Sequence, residues 1–509
     1  MTPVRLASPR ADRNAAPVFR AVLAPAAVGL LLVGACSPLA PITDDGGSGS
    51  TQSGTDAGGG GTSANPADAG IAGKSDAGAG LPIGTGTDAG HEASTAAPMR
   101  GPTPATAGVS FPFPQNRQSS GCVYPTNYLN SDVEAAYAQW KADTVTSSGA
   151  GGFRRVQRTS SDGGLALNST VSEGIGYGML LAVYMNDQSL FDDLWRYEQL
   201  HLGQCPVGLT CPDMQLMDWY ISADGSTPLG TGAATDADED MAFALAMADR
   251  QWGGQGALSK SYHDFAVSQI TSIWLLEIFQ SMFVKPGDWG DNTTLNPSYF
   301  APAYYRVFKA VGGDLPKSGG GSWNPDWDGT IDTLYTTIGN ALNATNKNQN
   351  NGLVPAWCTS GGSPNSMAIM PGGNATNYQY DSCRTPFRIA LDWCWNAEPR
   401  AQAYVAKTSS FFAGIGAKNI VDGYGLDGTP QAANPGKLSA AFIGPAGVGA
   451  MSSASYQSFV NDAYATIAPR TALAGGAYYE ESWTTLSLLM MTGSFLDYTA
   501  QVPLVAGSP

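Results

Sequence analysis

The chain is poor in positive charge and almost without histidine. Against 42 Asp and Glu it sets 26 Lys and Arg, a formal net charge of −16, and it has three His in 509 residues. A surface that neutralises phosphates needs clustered Lys and Arg, so nucleic acid and other polyanions are excluded as partners. A neutral or a cationic polymer fits. None of the seven cysteines is spaced against histidine like a zinc ligand, which leaves no metal site in view. Long apolar runs are missing too: residues 21–35 form an apolar stretch of about fifteen, short of the roughly 20 that a membrane-spanning helix needs.

What is present is unevenly distributed. Arg5, Arg10, Arg13 and Arg20 precede that apolar stretch with a single acid among them, the order of an export signal. The stretch closes on Leu-Leu-Val-Gly-Ala-Cys36, small residues directly before a cysteine as in a bacterial lipobox. Residues 1–36 therefore read as a signal segment with Cys36 as the lipidated first residue of the mature chain. The alternative is an ordinary signal peptide cleaved nearby. Either way the expected location is outside the cytoplasm, lipid-anchored at the cell envelope or secreted, and any membrane contact is through that N-terminal lipid alone. The remaining cysteines, Cys122, Cys205, Cys211, Cys358, Cys383 and Cys394, then meet oxidising conditions. All six read as structural, and the short separation of Cys205 and Cys211 favours a bridge between them. Residues 37–108 are rich in Gly, Ser, Thr, Ala and Asp and repeat Asp-Ala-Gly four times. Such a segment is a flexible tether with a reach on the order of 50 Å. Residues 109–502 hold nearly all the aromatics and read as one domain.

Within that domain apolar residues recur at helical spacing over 133–140, 179–202, 241–252, 265–283, 302–311, 331–344, 389–395, 401–412, 455–467 and 481–491. Few stretches alternate like strands. Between the helices run long loops rich in Gly, Pro, Asn, Trp and Tyr, at 285–301, 323–328, 352–380 and 423–444. Loops of that length in a domain are usually functional. The pattern predicts an all-α closed ring of helical hairpins whose loops form a cleft at one end. Aromatic faces among carboxylates suit sugar rings.

Three stretches could carry chemistry. In Val171-Ser-Glu-Gly-Ile-Gly-Tyr-Gly178 a single carboxylate, Glu173, sits among three glycines before an apolar helix. A packed, partly desolvated acid has its pKa raised and can serve as a general acid; the bland reading is that Ser172 caps the helix and Glu173 only favours its positive end. Ala233-Ala-Thr-Asp-Ala-Asp-Glu-Asp240 offers Thr235 as a cap and crowds four acids into five residues, so at least one is expected to face a ligand. In Tyr380-Asp-Ser-Cys-Arg384 the base candidate Asp381 has Arg384 three residues on, an arrangement that a structural ion pair at a helix start would equally produce.

Together with Lys285-Pro-Gly-Asp-Trp-Gly, Asn296-Pro-Ser-Tyr-Phe-Ala-Pro, Leu353-Val-Pro-Ala-Trp-Cys, Ile420-Val-Asp-Gly-Tyr and Phe442-Ile-Gly-Pro, these stretches resemble glycoside hydrolase family 8, collinearly over about 111–497. The resemblance implies an (α/α)6 barrel, hydrolysis of β-1,4-linked glycans with inversion, and no cofactor. It implies Glu173 as general acid, Asp381 as general base, Asp236 as the acid that holds and distorts the sugar, and Arg384 beside the base. Trp219, Trp289, Tyr299 and Tyr380 match substrate-binding positions. Two departures stand out: Ser382-Cys383 followed by Pro386 and Phe387 after the base, and Asp218 beside Trp219. Expected is an endo-acting, cellulase-type monomer on β-1,4-glucan. Xylan, mixed-linkage glucan and chitosan are alternative substrates, and a non-catalytic glycan-binding lipoprotein or a polysaccharide lyase are alternative classes.

Overall fold

Twelve α-helices order the residues that the computed structural model describes, which are 110–161, 164–206, 211, 214–278, 281–291, 293–316, 321–366, 375–469, 477–500 and 505–506. Cys36, the signal segment and the tether lie outside them. The helices are α1 (Asn130–Thr144), α2 (Ser172–Tyr184), α3 (Gln188–Glu198), α4 (Thr235–Gln251), α5 (Tyr262–Ser272), α6 (Pro302–Gly312), α7 (Trp327–Ala341), α8 (Thr385–Asn396), α9 (Pro399–Ile415), α10 (Ala440–Ala450), α11 (Gln457–Ile467) and α12 (Ala477–Met491). The even-numbered helices form a ring: α2 packs on α4, α4 on α6, α6 on α8, α8 on α10, α10 on α12, and α12 back on α2. Each odd-numbered helix packs outside one of them, α1 on α12, α3 on α2, α5 on α4, α7 on α6, α9 on α8 and α11 on α10. Six hairpins closed in this way are the (α/α)6 barrel.

The two rings differ in sequence because they differ in surroundings. Every residue of α4 and α10 is buried, as is all of α2 except Glu173. A helix enclosed on all sides carries small and apolar residues all round rather than on one stripe. The glycines of α2 follow from this. A Cβ at Gly176 would stand 3.0 Å from Cβ of Asp240 and 3.2 Å from the Ala237 carbonyl, and one at Gly178 2.7 Å from Leu194. These glycines let α2 approach α4 and α3.

Several sequence expectations need correction. The periodic stretch 179–202 is two helices, broken where Asn186 takes a φ of 59° and Asp187 caps α3 through Leu190 N at 3.2 Å. The stretch 265–283 holds the end of α5 and a π-helical segment, Ile273–Ile278. The supposed loop 423–444 ends inside α10, a helix containing Pro445 and three glycines. Those glycines again mark close approach, since a Cβ at Gly444 would lie 2.4 Å from Ser487 Oγ and one at Gly447 2.4 Å from Met491. Ser172 and Thr235 are first helical residues rather than caps; Val171 and Ala234 occupy the cap positions, and Thr235 Oγ1 donates instead to the Lys285 carbonyl at 2.8 Å.

Strands are few and at most three residues long among the described residues. One small antiparallel sheet matters to the site: Thr170–Val171, Tyr220–Ile221 and Pro228–Gly230. Cys205 bonds Cys211 and Cys122 bonds Cys394, whereas Cys358 and Cys383 are buried thiols. No helix among the described residues is long and apolar enough to cross a membrane.

Candidate active site

Three inner helices begin at one place. Glu173 is the second residue of α2, Asp236 the second of α4, and Arg384 ends the 3-10 turn Ser382–Arg384 that leads into α8. Carboxylates in a first turn are stabilised by the helix dipole, which suits Glu173 and Asp236 to these positions. Arg384 collects both. Its Nη1 donates to Oε2 of Glu173 at 2.5 Å, to Oδ2 of Asp236 at 2.5 Å and to the Tyr177 hydroxyl at 3.2 Å. Its Nη2 donates to Ser298 Oγ at 2.8 Å and more distantly to Oδ1 of Asp381 at 3.4 Å. The local Asp381–Arg384 pair expected from sequence is therefore the weakest of the three contacts. The strong ones reach 211 and 148 residues along the chain.

Exposure separates the members of this cluster. Arg384 is 1% exposed and Asp236 3%, while the side chains of Glu173 and Asp381 keep 20% and 17%. The guanidinium is thus a floor, with Glu173 and Asp381 rising from it toward solvent on two different nitrogens. Burial raises the pKa of Glu173, partly opposed by the Arg384 charge, reinforced by nearby Asp236, and eased by the hydroxyls of Tyr478 and Tyr177. Such a carboxyl holds a proton at higher pH than a free one. Asp381 is fixed from behind, its Oδ2 accepting from Trp357 Nε1 at 3.1 Å and Gln379 Nε2 at 2.8 Å. In Asp236, Oδ1 is buried without a hydrogen-bond partner among the described residues, as are Oδ2 of Asp238 and Oε2 of Glu239.

The aromatic candidates fall in two groups. Tyr299 joins the cluster, its ring centroid 5.3 Å from the Arg384 guanidinium, with its pKa pushed up by burial and by Asp236. Trp219 reaches it through the small sheet, where its carbonyl accepts from Ser172 N at 3.0 Å beside Glu173. The segment 230–233 runs between Trp219 and Trp289. A Cβ at Gly230 would stand 2.4 Å from the Trp219 Nε1, and one at Gly232, where φ is +88°, 2.7 Å from Trp289. Trp289 donates its indole N–H to the Ala233 carbonyl at 2.9 Å and leaves 47% of its surface exposed. Asp218, the departure noted in sequence, braces the same segment by accepting from Gly232 N at 2.9 Å. Tyr380 is held by a separate set of partners, donating to Asp422 at 2.8 Å and meeting Phe442 edge-on.

Sequence reasoning missed Tyr478, whose hydroxyl donates to Oε1 of Glu173, and also Tyr177, Ser298 and Trp357. Tyr177 and Ser298 lie inside motifs already singled out; Tyr478 carries no local signal. The other acids of the 236–240 run face away from this site. Asp240 is held bidentately by Arg388 at 2.9 and 3.0 Å, Glu239 accepts from the Tyr305 hydroxyl, and Asp238 accepts from Gln269 at 3.1 Å. One acid of the four joins the Arg384 cluster, and three brace the interior.

A carboxyl with a raised pKa, a second carboxylate that shares its arginine, and flat rings nearby are what acid- and base-assisted cleavage of a sugar polymer requires, the chemistry of a glycoside hydrolase. It belongs to glycosyl hydrolases family 8, whose model matches residues 119–493. Endoglucanase A of Acetivibrio thermocellus is 37% identical over 400 residues, 77% of this chain and 76% of that one. Endoglucanase C of Ruminiclostridium cellulolyticum is 33% identical over 401 residues, 77% of this chain and 78% of that one. Among solved structures, the β-1,3-1,4-glucanase from Paenibacillus sp. X4 is 30% identical with a TM-score of 0.65, covering 76% of this chain and 99% of its own.

Proposed function

We propose that the protein is an endo-acting, inverting hydrolase of β-1,4-glucan, the cellulase type, with Glu173 as general acid and Asp381 as general base. The observation that carries this reading is the convergence of Glu173, Asp236 and Asp381 on Arg384. Glu173 protonates the glycosidic oxygen while Asp381 draws a proton from a water that attacks the opposite face of the sugar. That mechanism needs room for the water, with carboxyl groups roughly 6.5–9.5 Å apart. Asp236 holds ring hydroxyls through its unpartnered Oδ1, an interaction that gains strength as the ring distorts. Trp219, Trp289, Tyr299 and Tyr380 bind the glycan, with Arg384 as the fixed charge beneath it. The endoglucanase names of the relatives favour glucan.

Mixed-linkage β-1,3-1,4-glucan is the second reading, favoured by the 30% identical structure of an enzyme named for that substrate. We place the enzyme outside the cytoplasm as a monomer, tethered through a lipid on Cys36; the two disulfides fit an oxidising compartment. The test is incubation with carboxymethylcellulose, mixed-linkage glucan, xylan and chitosan, read by product size. Expected is early production of mid-length fragments from a β-glucan. Four polymers left at full length would sink the reading and leave a glycan-binding protein, and unsaturated products would mean a lyase.

A further inference from the structure

We infer that Tyr478 is the positioning residue of the acid: Arg384 settles which oxygen of Glu173 carries the proton, and the Tyr478 hydroxyl holds that oxygen in place and stabilises it as the carboxylate forms. The inference rests on Glu173 being the general acid. Arg384 Nη1 donates to Oε2 of this carboxyl at 2.5 Å and the Tyr478 hydroxyl donates to Oε1, with the Tyr177 hydroxyl also within reach of the carboxyl. A guanidinium has only donors and keeps its charge at any working pH. The oxygen it touches therefore stays the unprotonated one, and the proton goes to Oε1. A phenol both donates and accepts, so Tyr478 can remain in contact with Oε1 in either protonation state.

The chain builds a socket for this ring. A Cβ at Gly174, the residue after the acid, would stand 2.8 Å from Cε2 of Tyr478, so glycine is what lets the ring lie against the backbone that carries Glu173. The Arg158 guanidinium lies 5.5 Å from the ring centroid, and Tyr478 N donates to Thr159 Oγ1 at 3.2 Å. Around Glu173 stand Tyr177 from α2, Asp236 from α4, Tyr299 from the turn 297–299, Arg384 with Asp381 behind it, and Tyr478 and Tyr479 from α12. Arg158 is the charge next to Tyr478. Tyr177, the other nearby hydroxyl, takes a hydrogen bond from Arg384 Nη1 at 3.2 Å.

In the reaction the Oε1–H bond breaks as the glycosidic oxygen takes the proton, and the C1–O bonding pair stays on that leaving oxygen. The water oxygen bonds C1, and Asp381 takes the water proton. Negative charge then appears on Oε1, where the Tyr478 O–H already points. A donor aimed at charge that develops only during the reaction favours the transition state over the ground state.

The experiment measures kcat and KM against pH for wild type, Y478F, Y177F and E173Q on a soluble β-glucan and on β-cellobiosyl fluoride, whose leaving group needs no proton. In Y478F kcat on glucan should fall about ten- to a hundredfold, the worth of a hydrogen bond to a charged group. KM should change little, and fluoride hydrolysis should stay near wild type. Losing a donor to the carboxylate raises the Glu173 pKa, so the alkaline limb of kcat/KM should move to higher pH. G174A, which displaces the ring but keeps the hydroxyl, should give a smaller change in the same direction. An unmoved limb in Y478F, an equal loss on both substrates, or a moved limb in Y177F alone would overturn the role of Tyr478. Equal losses of E173Q on glucan and fluoride would instead remove Glu173 as the acid, and this inference with it.

Discussion

Asp236 and Asp238 stand two residues apart on α4 and meet different neighbours. Asp236 touches Arg384, which also holds Glu173 and Asp381 below an open face. Asp238 is fully enclosed with Glu277, Glu198 and Asp288 as its charged surroundings, and burial drives its pKa far up. Burial likewise pushes Glu277 and Glu198 up to about 8. A raised pKa alone therefore does not mark the acid that does chemistry. What sets Glu173 apart is a raised pKa together with residual exposure and an arginine shared with a second, solvent-facing carboxylate. Desolvation without that exposure yields a neutral interior acid.

The comparison predicts four effects of decreasing size. Glu173→Gln and Asp381→Asn should each cut kcat on carboxymethylcellulose by about 10²–10⁴-fold with melting temperature nearly unchanged, since each removes one limb of acid–base assistance. Comparable loss from Glu277→Gln would erase the distinction between the two acid sets. Arg388→Met leaves Asp240 buried and unpaired, and should lower stability by about 3–5 kcal/mol in denaturant titrations while activity per folded molecule persists. Asp236→Asn should lower kcat roughly ten- to a hundredfold with little change in melting temperature, whereas Asp238→Asn should spare kcat.

Counted per unit of pH, the smallest effect is on stability. Glu277 has a folded pKa of about 8 against an ordinary value of 4.5. Below pH 4.5 both states hold the proton and nothing is lost; as pH rises toward 8 only the unfolded chain releases it, so stability declines by at most about 1.4 kcal/mol per pH unit and then levels. Glu277→Gln should flatten that decline, giving a higher melting temperature than wild type at pH 8 and no advantage at pH 4.

Much of the site was legible because its residues sit in compact motifs at helix starts: Glu173 and Arg384 were named from local spacing and Asp236 through the family resemblance, and they meet. Their partners were less so. Asp381 and Arg384 looked like a pair because they are three apart, yet the short contacts of Arg384 are to acids far along the chain, and Tyr478 reaches Glu173 from 305 residues away. Sequence spacing carries no record of such closures. In the fold, the outer helices announced themselves by periodic stripes, whereas α10 did not. Its start through Gly444 read as loop and no helix was expected beyond, because helix propensity disfavours its glycines and Pro445; close packing of Gly444 against Ser487 and of Gly447 against Met491 explains those two glycines.

The central claim is that Glu173 and Asp381 act from opposite sides of one glycosidic bond, around water held between them. Proton NMR of the first products from a cello-oligosaccharide tests it most directly, before mutarotation mixes the anomers. Initial accumulation of the α-anomer is the expected result. Initial accumulation of the β-anomer would mean retention and would contradict the account.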